Sequence, residues 1–438
     1  MLIFWSDCGR ILYYIRIGGI QMKTALEYSS KFDIKKLSRF AVKGITRICN
    51  EIGPRKPGSP EELKAQELMA KELAKSCDEV NIEEFKVHRQ AFMGFIPFTV
   101  ACAVASVFTY AFASPVISLI LVILGFIPLL LEFVMYKQFI DPLFIGHPSH
   151  NVIAKRAPKG EVKKRFIVIC HADSQFEWTL NYLLGGVGMK LVLIPAVVGL
   201  VADLIIAIIG IIFAGNGGAL EAVEPRWLMI LGFVVGCVFI PFQLGFLFFQ
   251  SYTKSVPGAN DNLTGCYVAM AVAKAMEETD TRFENTELVV ICSGSEEAGL
   301  RGAKAYAKAH EKELKEVETC VIGCDTFRDL ETMAVYDRDL SGTIKHHWGA
   351  KHLVQNAGKN CGFDLKFESI YIGACDAAAF TQRGIPATGF AAMDPTPPRY
   401  YHTRLDNVDM LREDAIAAGI EIMFEAACMY DKEGLPTE

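Results

Sequence analysis

The sequence predicts an α/β protein: a largely parallel sheet covered by helices and interrupted by two apolar hairpins long enough to cross a membrane. Three observations predict it. Val/Ile-rich runs of strand length alternate with helix-length segments over the polar part of the chain, as in parallel strands joined by helical crossovers. Two long stretches carry almost no charge. Three consecutive apolar runs end in imidazole or carboxylate, at the strand ends where ligands sit in such sheets.

The first elements are an amphipathic helix through Leu37, Phe40, Val42 and Ile45, the loop GPRKPGSPEE, a second helix over 60–76 and an alternating strand over 80–87. Polarity then collapses. Residues 91–131 contain no charged side chain, and these 41 residues are about twice what one helix needs to cross ~30 Å of hydrocarbon, with Ser114-Pro115 as the turn. A second apolar pair, 191–214 and 227–249, flanks the polar stretch GNGGALEAVEPR. Backbone groups in lipid must be satisfied internally, so each member is predicted to be a helix. Buried helices of soluble proteins seldom run past ~20 apolar residues without a polar face, which argues against a soluble alternative. Asp203 is the one acid within these stretches apart from the flanking Glu132. It reads equally as a functional group or as a carboxyl packed between the helices.

Two hairpins make four crossings, so everything outside them lies on one face of the membrane. Arg89, Lys137, Lys190 and Lys254 flank the spans on that face against Arg226 on the other, which by the positive-inside rule makes the shared face cytoplasmic. Composition agrees: 51% hydrophobic residues and a mean hydropathy of +0.26, with 21% charged residues, fit a globular part joined to membrane spans. The 13 cysteines form no CxxC pair, and Cys170, Cys292 and Cys324 end apolar runs, which reads as reduced core residues in a reducing compartment. A net charge of −6 gives no electrostatic footprint for nucleic acid. Residues 1–22 lack the apolar stretch and cleavage site of a signal peptide and read as a non-native or disordered extension ahead of a second start at Met22. The polar domain is then 23–90, 137–188 and 251–438, with hairpins at 91–136 and 189–250.

Within that domain the pattern continues as strand 165–170, helix 262–276, strand 287–292, helix 303–317, strand 319–324, helix 352–361, strand 386–391 and helix 414–430. The run FIVIC leads directly into His171-Ala172-Asp173, LVVIC into Ser-Gly-Ser-Glu296-Glu297, and CVIGC into Asp325. Singly, each of these is more often a turn or cap residue; together they put three donor groups on one sheet edge. Asp261, in SVPGANDNLTG, stands where a helix cap is expected, and His402 lies in YYHTRLD after the last strand. Two histidines with several carboxylates suit divalent zinc, whose bonds to N and O are ~2.0–2.2 Å. Two metals would need a bridging carboxylate and about two terminal ligands each, a demand that five protein ligands and a shared water meet.

These segments resemble the co-catalytic di-zinc exopeptidases of the bacterial leucyl aminopeptidase type, relatives of glutaminyl cyclases and glutamate carboxypeptidases. The resemblance covers residues 38–90, 145–180 and 252–432 and leaves the hairpins outside it. It implies a zinc-exopeptidase-like mixed, largely parallel sheet sandwiched by helices, two Zn2+ per chain, and hydrolysis of amino-terminal peptide bonds. Carried over position by position, it gives one zinc His171 and Asp325, the other Glu297 and His402, and Asp261 as the bridge. Glu296 is then the general base, and Asp173 orients His171. The implied partners are a peptide substrate and the lipid bilayer; the oligomeric state is left open. In CDAAAF (375–380) Ala377 stands where the family's SDHxxF segment has His, so a different specificity is expected if that His contacts substrate. Two rivals stay open: a catalytically inactive receptor-like or scaffold protein of the same fold, and a glutaminyl-cyclase-like zinc acyltransferase. His346, His347 and Trp348 read as surface or a helix start, and Asp406 and Thr403 as supports for His402 or as loop hydrogen bonds.

Overall fold

A computed structural model describes residues 24–25, 33–213, 223 and 225–438. The expectations for residues 1–22 and for most of the polar stretch 215–226 lie outside the described residues. Helix α1 (Ile34–Glu51) begins where the Asp33 side chain accepts the Lys36 amide, and turns Leu37, Ala41, Ile45 and Ile48 inward. Helix α2 (Pro60–Leu73) is set by Pro60 at its first turn and by Ser59, which accepts the Glu62 amide. Strand β1 (Glu79–Val87) follows and pairs antiparallel with β2 (His147–Arg156), the first hairpin being inserted between them.

Four helices are long and apolar enough to cross a membrane: α3 (Ala91–Phe112), α4 (Pro115–Val134), α5 (Thr179–Phe213) and α6 (Arg226–Phe246). Ser114 caps α4 by accepting the Val116 amide. Helix α5 starts well before the expected 191, because Asn181, Tyr182 and Lys190 dilute the hydropathy of its first turns. Gly185, at φ 71°, kinks it there, a backbone conformation that favours glycine. Asp203 is packed between helices, where Gln243 donates to it at 2.9 Å.

The rest of the chain alternates β3 (Lys164–His171), α7 (Leu263–Glu278), β4 (Thr286–Ser293), α8 (Arg301–Ala309), α9 (Glu311–Glu316), β5 (Glu318–Phe327), β6 (Met333–Asp339), β7 (Ile344–Lys345), α10 (Trp348–Asn360), β8 (Lys366–Ser369), α11 (Ala377–Thr381), β9 (Ala387–Ala392) and α12 (Glu413–Glu433). One nine-stranded sheet has the order β1-β2-β4-β3-β5-β9-β6-β7, with β8 paired to β6. Its centre, β4-β3-β5-β9, is parallel, and antiparallel pairings on both sides make the sheet mixed. The central runs FIVIC, LVVIC and CVIGC are buried on both faces, which is why they read as unbroken apolar segments. Helix α7 is buried almost all round and lies across them. Strands β2, β6, β7 and β8 escaped the sequence reading because they are flanking strands with partly exposed, interrupted patterns. The single helix expected over 303–317 is two, meeting at His310. His347 does stand at the start of α10, but His346 is not at the surface. It is buried, with Nε2 3.2 Å from Asp339 Oδ2 and Nδ1 2.8 Å from Thr381 Oγ1.

Candidate metal centre

Strands β4, β3 and β5 are neighbours, and the groups at their carboxyl ends meet. His171 ends β3, Glu296 and Glu297 follow β4, and Asp325 lies near the end of β5 at a register shift. Asp261, just ahead of α7, reaches into the middle of them. Its Oδ1 is 3.2 Å from His171 Nε2, and its Oδ2 is 2.8 Å from His402 Nε2. Asp325 Oδ1 completes the His171 side at 3.9 Å, and Glu297 Oε1 completes the His402 side at 3.4 Å. Two donor triads therefore share one carboxylate: His171, Asp261 and Asp325; Asp261, Glu297 and His402. All five predicted ligands converge. Glu296 stands beside them, its Oε2 3.8 Å from His171 Nε2.

Asp173 is placed differently from the sequence expectation in one respect. Its Oδ1 lies 3.5 Å from His171 Nδ1, long for a hydrogen bond, while its two oxygens accept the Glu296 and Glu297 amides at 3.0 and 3.1 Å. Its firmest contacts thus fix the Glu-Glu turn, with the imidazole a secondary neighbour. Of the two readings of Asp406, the loop hydrogen bonds hold: it accepts the Asn260 and Asp261 amides and the Asn260 side chain, so it supports Asp261 and not His402. Thr403 donates to the Arg399 and Tyr400 carbonyls within its own loop.

Several residues with no sequence signal hold the site. Arg55, from GPRKPGSPEE, is fully buried and donates to the carbonyls of Gly53, Ala172, Pro257 and Gly258, joining the loop after His171 to the loop before Asp261. Gly258 is needed there: at φ +60° a Cβ would sit 2.6 Å from both the Asp261 carbonyl oxygen and the Ser174 side chain. Glu62, three residues after the cap Ser59, accepts the Gly58 and Ser295 amides and the Ser149 hydroxyl, fixing the turn that presents Glu296. Gln175 donates to Glu297 Oε2 at 2.7 Å, and the Trp178 ring packs 4.3 Å from His402. Ser295, Leu300, Thr326 and His402 all have positive φ without being glycine, so the ligand loops carry backbone strain that the surrounding packing must hold.

Electrostatically the site is short of positive charge. Burial pushes Glu296 well above the usual carboxylate range, with His171 opposing and Glu297, Asp376 and Asp325 adding to the rise. Burial likewise raises Glu297 to about 7 and Asp325 to about 6, in both cases with Asp261 repelling and the histidines attracting. Burial would lower His402, but Glu297 and Asp261 overcome it and lift the imidazole to about 10. Asp376, from the CDAAAF segment, is also buried here: Ser293 donates to its Oδ2 at 2.6 Å, and its Oδ1 has no hydrogen-bond partner. Carboxylates crowded about two imidazoles, without Arg or Lys paired to them among the described residues, form a site that divalent cations would neutralise. Geometry fits too. Donors bonded to one zinc at ~2.0–2.2 Å can lie no more than ~4.4 Å apart, and the four nitrogen–oxygen separations within the two triads are 2.8, 3.2, 3.4 and 3.9 Å.

Residues 248–427 match peptidase family M28. The matched segment is less than half of the chain. It contains Asp261, Glu296, Glu297, Asp325 and His402, whereas His171 and Asp173 precede it and reach the centre through the pairing of β3 with β4 and β5. Among curated proteins, the aminopeptidase YwaD of Bacillus subtilis is 27% identical over 183 residues, 40% of this chain. That alignment spans 38% of the relative's own length. The structure of a zinc aminopeptidase from Bacillus subtilis is similar with a TM-score of 0.52 at 15% identity, covering 90% of this chain and 95% of that one. A glutaminyl cyclase from Fimbriiglobus ruber is similar at 0.51 and 16%, covering 91% and 96%. These likenesses show the fold alone, one that an aminopeptidase and a glutaminyl cyclase share.

Proposed function

We propose that this chain is a membrane-anchored zinc aminopeptidase that removes amino-terminal residues from peptides. The observation that carries the proposal is Asp261, whose two carboxylate oxygens each complete one of two donor triads within one M28-type site. His171 and Asp325 would hold one zinc, Glu297 and His402 the other, with Asp261 shared. Bound there, the pair would supply an acidified water, its pKa brought toward ~7, and an electrophilic hold on the scissile carbonyl oxygen.

The chain's own residues supply the rest. Glu296, outside both triads and close to His171 Nε2, takes a proton from the attacking water and passes it to the leaving amine. Water thereby adds across the amide: its oxygen joins the carbonyl carbon, the C–N bond breaks, and the proton goes to nitrogen. Burial suits Glu296 to this role, because a raised affinity for protons makes it a stronger base toward the attacking water. Asp173 holds Glu296 and Glu297 in register through their amides, so that one can bind metal while its neighbour faces the water. The complete donor set weighs against the inactive scaffold.

Aminoacyl anilides and short peptides are the test substrates. Hydrolysis is expected to cease on chelation and return with zinc; turnover insensitive to thorough chelation would end the proposal. Elemental analysis is expected to find two zinc ions per chain, and a single ion with cyclisation of amino-terminal glutamine would instead point to the acyltransferase. Asp406→Ala, which frees the Asp261 amide and loop, is expected to weaken zinc binding by about 10- to 100-fold, measured by competition with a chromophoric chelator.

The same proposal places the spans in a bilayer and, from Arg89, Lys137, Lys190 and Lys254 on one side against Arg226, the peptidase domain in the cytoplasm. A reporter inserted within 216–221 is expected on the extracytoplasmic side, and a cytoplasmic signal there would invert the topology.

A further inference from the structure

Both hairpins and every ligand loop leave the sheet at the same edge. The first hairpin joins β1 to β2, whose ends Val87 and His147 are paired. Strand β2 runs antiparallel to β4, so its first residues lie beyond Cys292, alongside the turn that carries Glu296 and Glu297. Helix α5 starts eight residues after His171, and α6 ends fifteen residues before Asp261. Helices α5 and α6 adjoin the loops of His171 and Asp261, and the first hairpin leaves beside the Glu296–Glu297 turn, so four helices set in a bilayer would keep this end of the sheet against it. A substrate would then approach along the membrane surface.

Packing and surface character agree. One buried apolar cluster runs from Val100, Val122 and Leu200 in the spans to Leu300 and Ala378 beside the site. Trp178 bridges the same gap, 4.7 Å from Phe249 and 4.3 Å from His402. Outside the spans, Leu143 and Ile145, between the first hairpin and β2, are 81% and 80% exposed, and Tyr371 and Ile372, just ahead of Asp376, are 71% and 77% exposed. The latter pair sits against the turn after β6: the Ser341 amide donates to the Gly373 carbonyl, and Leu340 belongs to the span cluster. Bare apolar side chains on loops beside membrane spans are what the bilayer interface takes up.

We infer that the substrates of this site are apolar peptides lodged in the bilayer, with a free amino terminus at the interface, rather than peptides free in solution. The inference rests on the aminopeptidase reading above. A peptide of about 20 apolar residues spans the hydrocarbon core, so its terminal amine surfaces at headgroup level, where the ligand loops sit. Endoproteolysis of membrane-spanning segments is the class of reaction that produces such peptides. Tyr371, Ile372, Leu143 and Ile145 dip into the interface beside the site and hold its mouth at that depth.

The test uses the full chain reconstituted in phosphatidylcholine vesicles with two substrates sharing an amino-terminal leucine: a water-soluble tripeptide, and an apolar peptide of about 20 residues incorporated in the same vesicles. Confinement to one thin layer sets the effective concentration, so a tenfold increase in lipid at constant total peptide is expected to slow cleavage of the apolar peptide about tenfold and leave the tripeptide unaffected. Tyr371→Asp with Ile372→Asp is expected to reduce cleavage of the apolar peptide at least several-fold while the tripeptide rate stays unchanged. Tripeptide cleavage with an apolar peptide that is spared, or whose cleavage ignores lipid dilution and the double substitution, would overturn this inference and leave the aminopeptidase reading standing. Failure to cleave either substrate with zinc bound would overturn both.

Discussion

Glu296→Gln is expected to lower kcat by about 10²- to 10⁴-fold, the contribution of a positioned general base, with KM near the wild-type value and zinc content unchanged. The amide side chain keeps the shape of the carboxylate but cannot accept the water's proton. The turn should survive, because it is held by the Glu296 and Glu297 amides on Asp173 and by the Ser295 amide on Glu62, none of which involves the Glu296 side chain. Neither donor triad centred on Asp261 contains Glu296, so the metal count is a control for folding and site integrity. A loss confined to kcat marks an interaction made in the transition state. Wild-type turnover in this variant would remove Glu296 from the chemistry, and parallel loss of zinc would make it a ligand.

The second large effect concerns stability. Arg301, four residues after Glu297, is buried and donates to Glu132 Oε1 and Asp141 Oδ1, each at 2.8 Å, and to the Ala298 carbonyl. Glu132 is itself fully buried at the end of α4 and accepts the Phe139 and Ile140 amides. This group ties the first hairpin to the turn that carries the candidate ligand Glu297. Removing one member of a buried ion pair strands its partner's charge, at a cost of about 3–5 kcal/mol. Arg301→Ala is therefore expected to destabilise the protein by that amount in a detergent unfolding assay and to lower activity with it. Arg301→Met combined with Glu132→Leu should recover only part of the loss, since it removes the stranded Glu132 charge but leaves Asp141 and the Phe139 and Ile140 amides without their partners. An Arg301→Ala protein as stable as wild type would show that the hairpin and the site are energetically separate.

How much of this could be read before folding differs from residue to residue. His171, Glu297 and Asp325 were legible because each follows an unbroken apolar run, and strands buried on both faces must end where polar groups can be used. Asp261 and His402 needed the family resemblance, since loop residues have no periodicity to mark them. Arg55, Glu62, Gln175 and Trp178 could not be found at all. Their work is to satisfy carbonyls, amides and rings contributed by distant parts of the chain, as when Arg55 reaches Gly258 across 203 residues. His346 misled, because a charged-looking HHW cluster gives no sign that its first member is buried against Asp339 and Thr381.

By itself the sequence determined the alternation of strands and helices, the four apolar helices, and the kinds of donor delivered to one edge of the sheet. These follow from local hydropathy and its period, which report burial one segment at a time. Only the tertiary structure decided that one carboxylate is shared by two triads, that Asp173 and Asp406 serve backbone amides, and that the four apolar helices root beside the site. Those outcomes depend on contacts between residues far apart in the chain, where loop geometry and close packing, not pattern, set the distances.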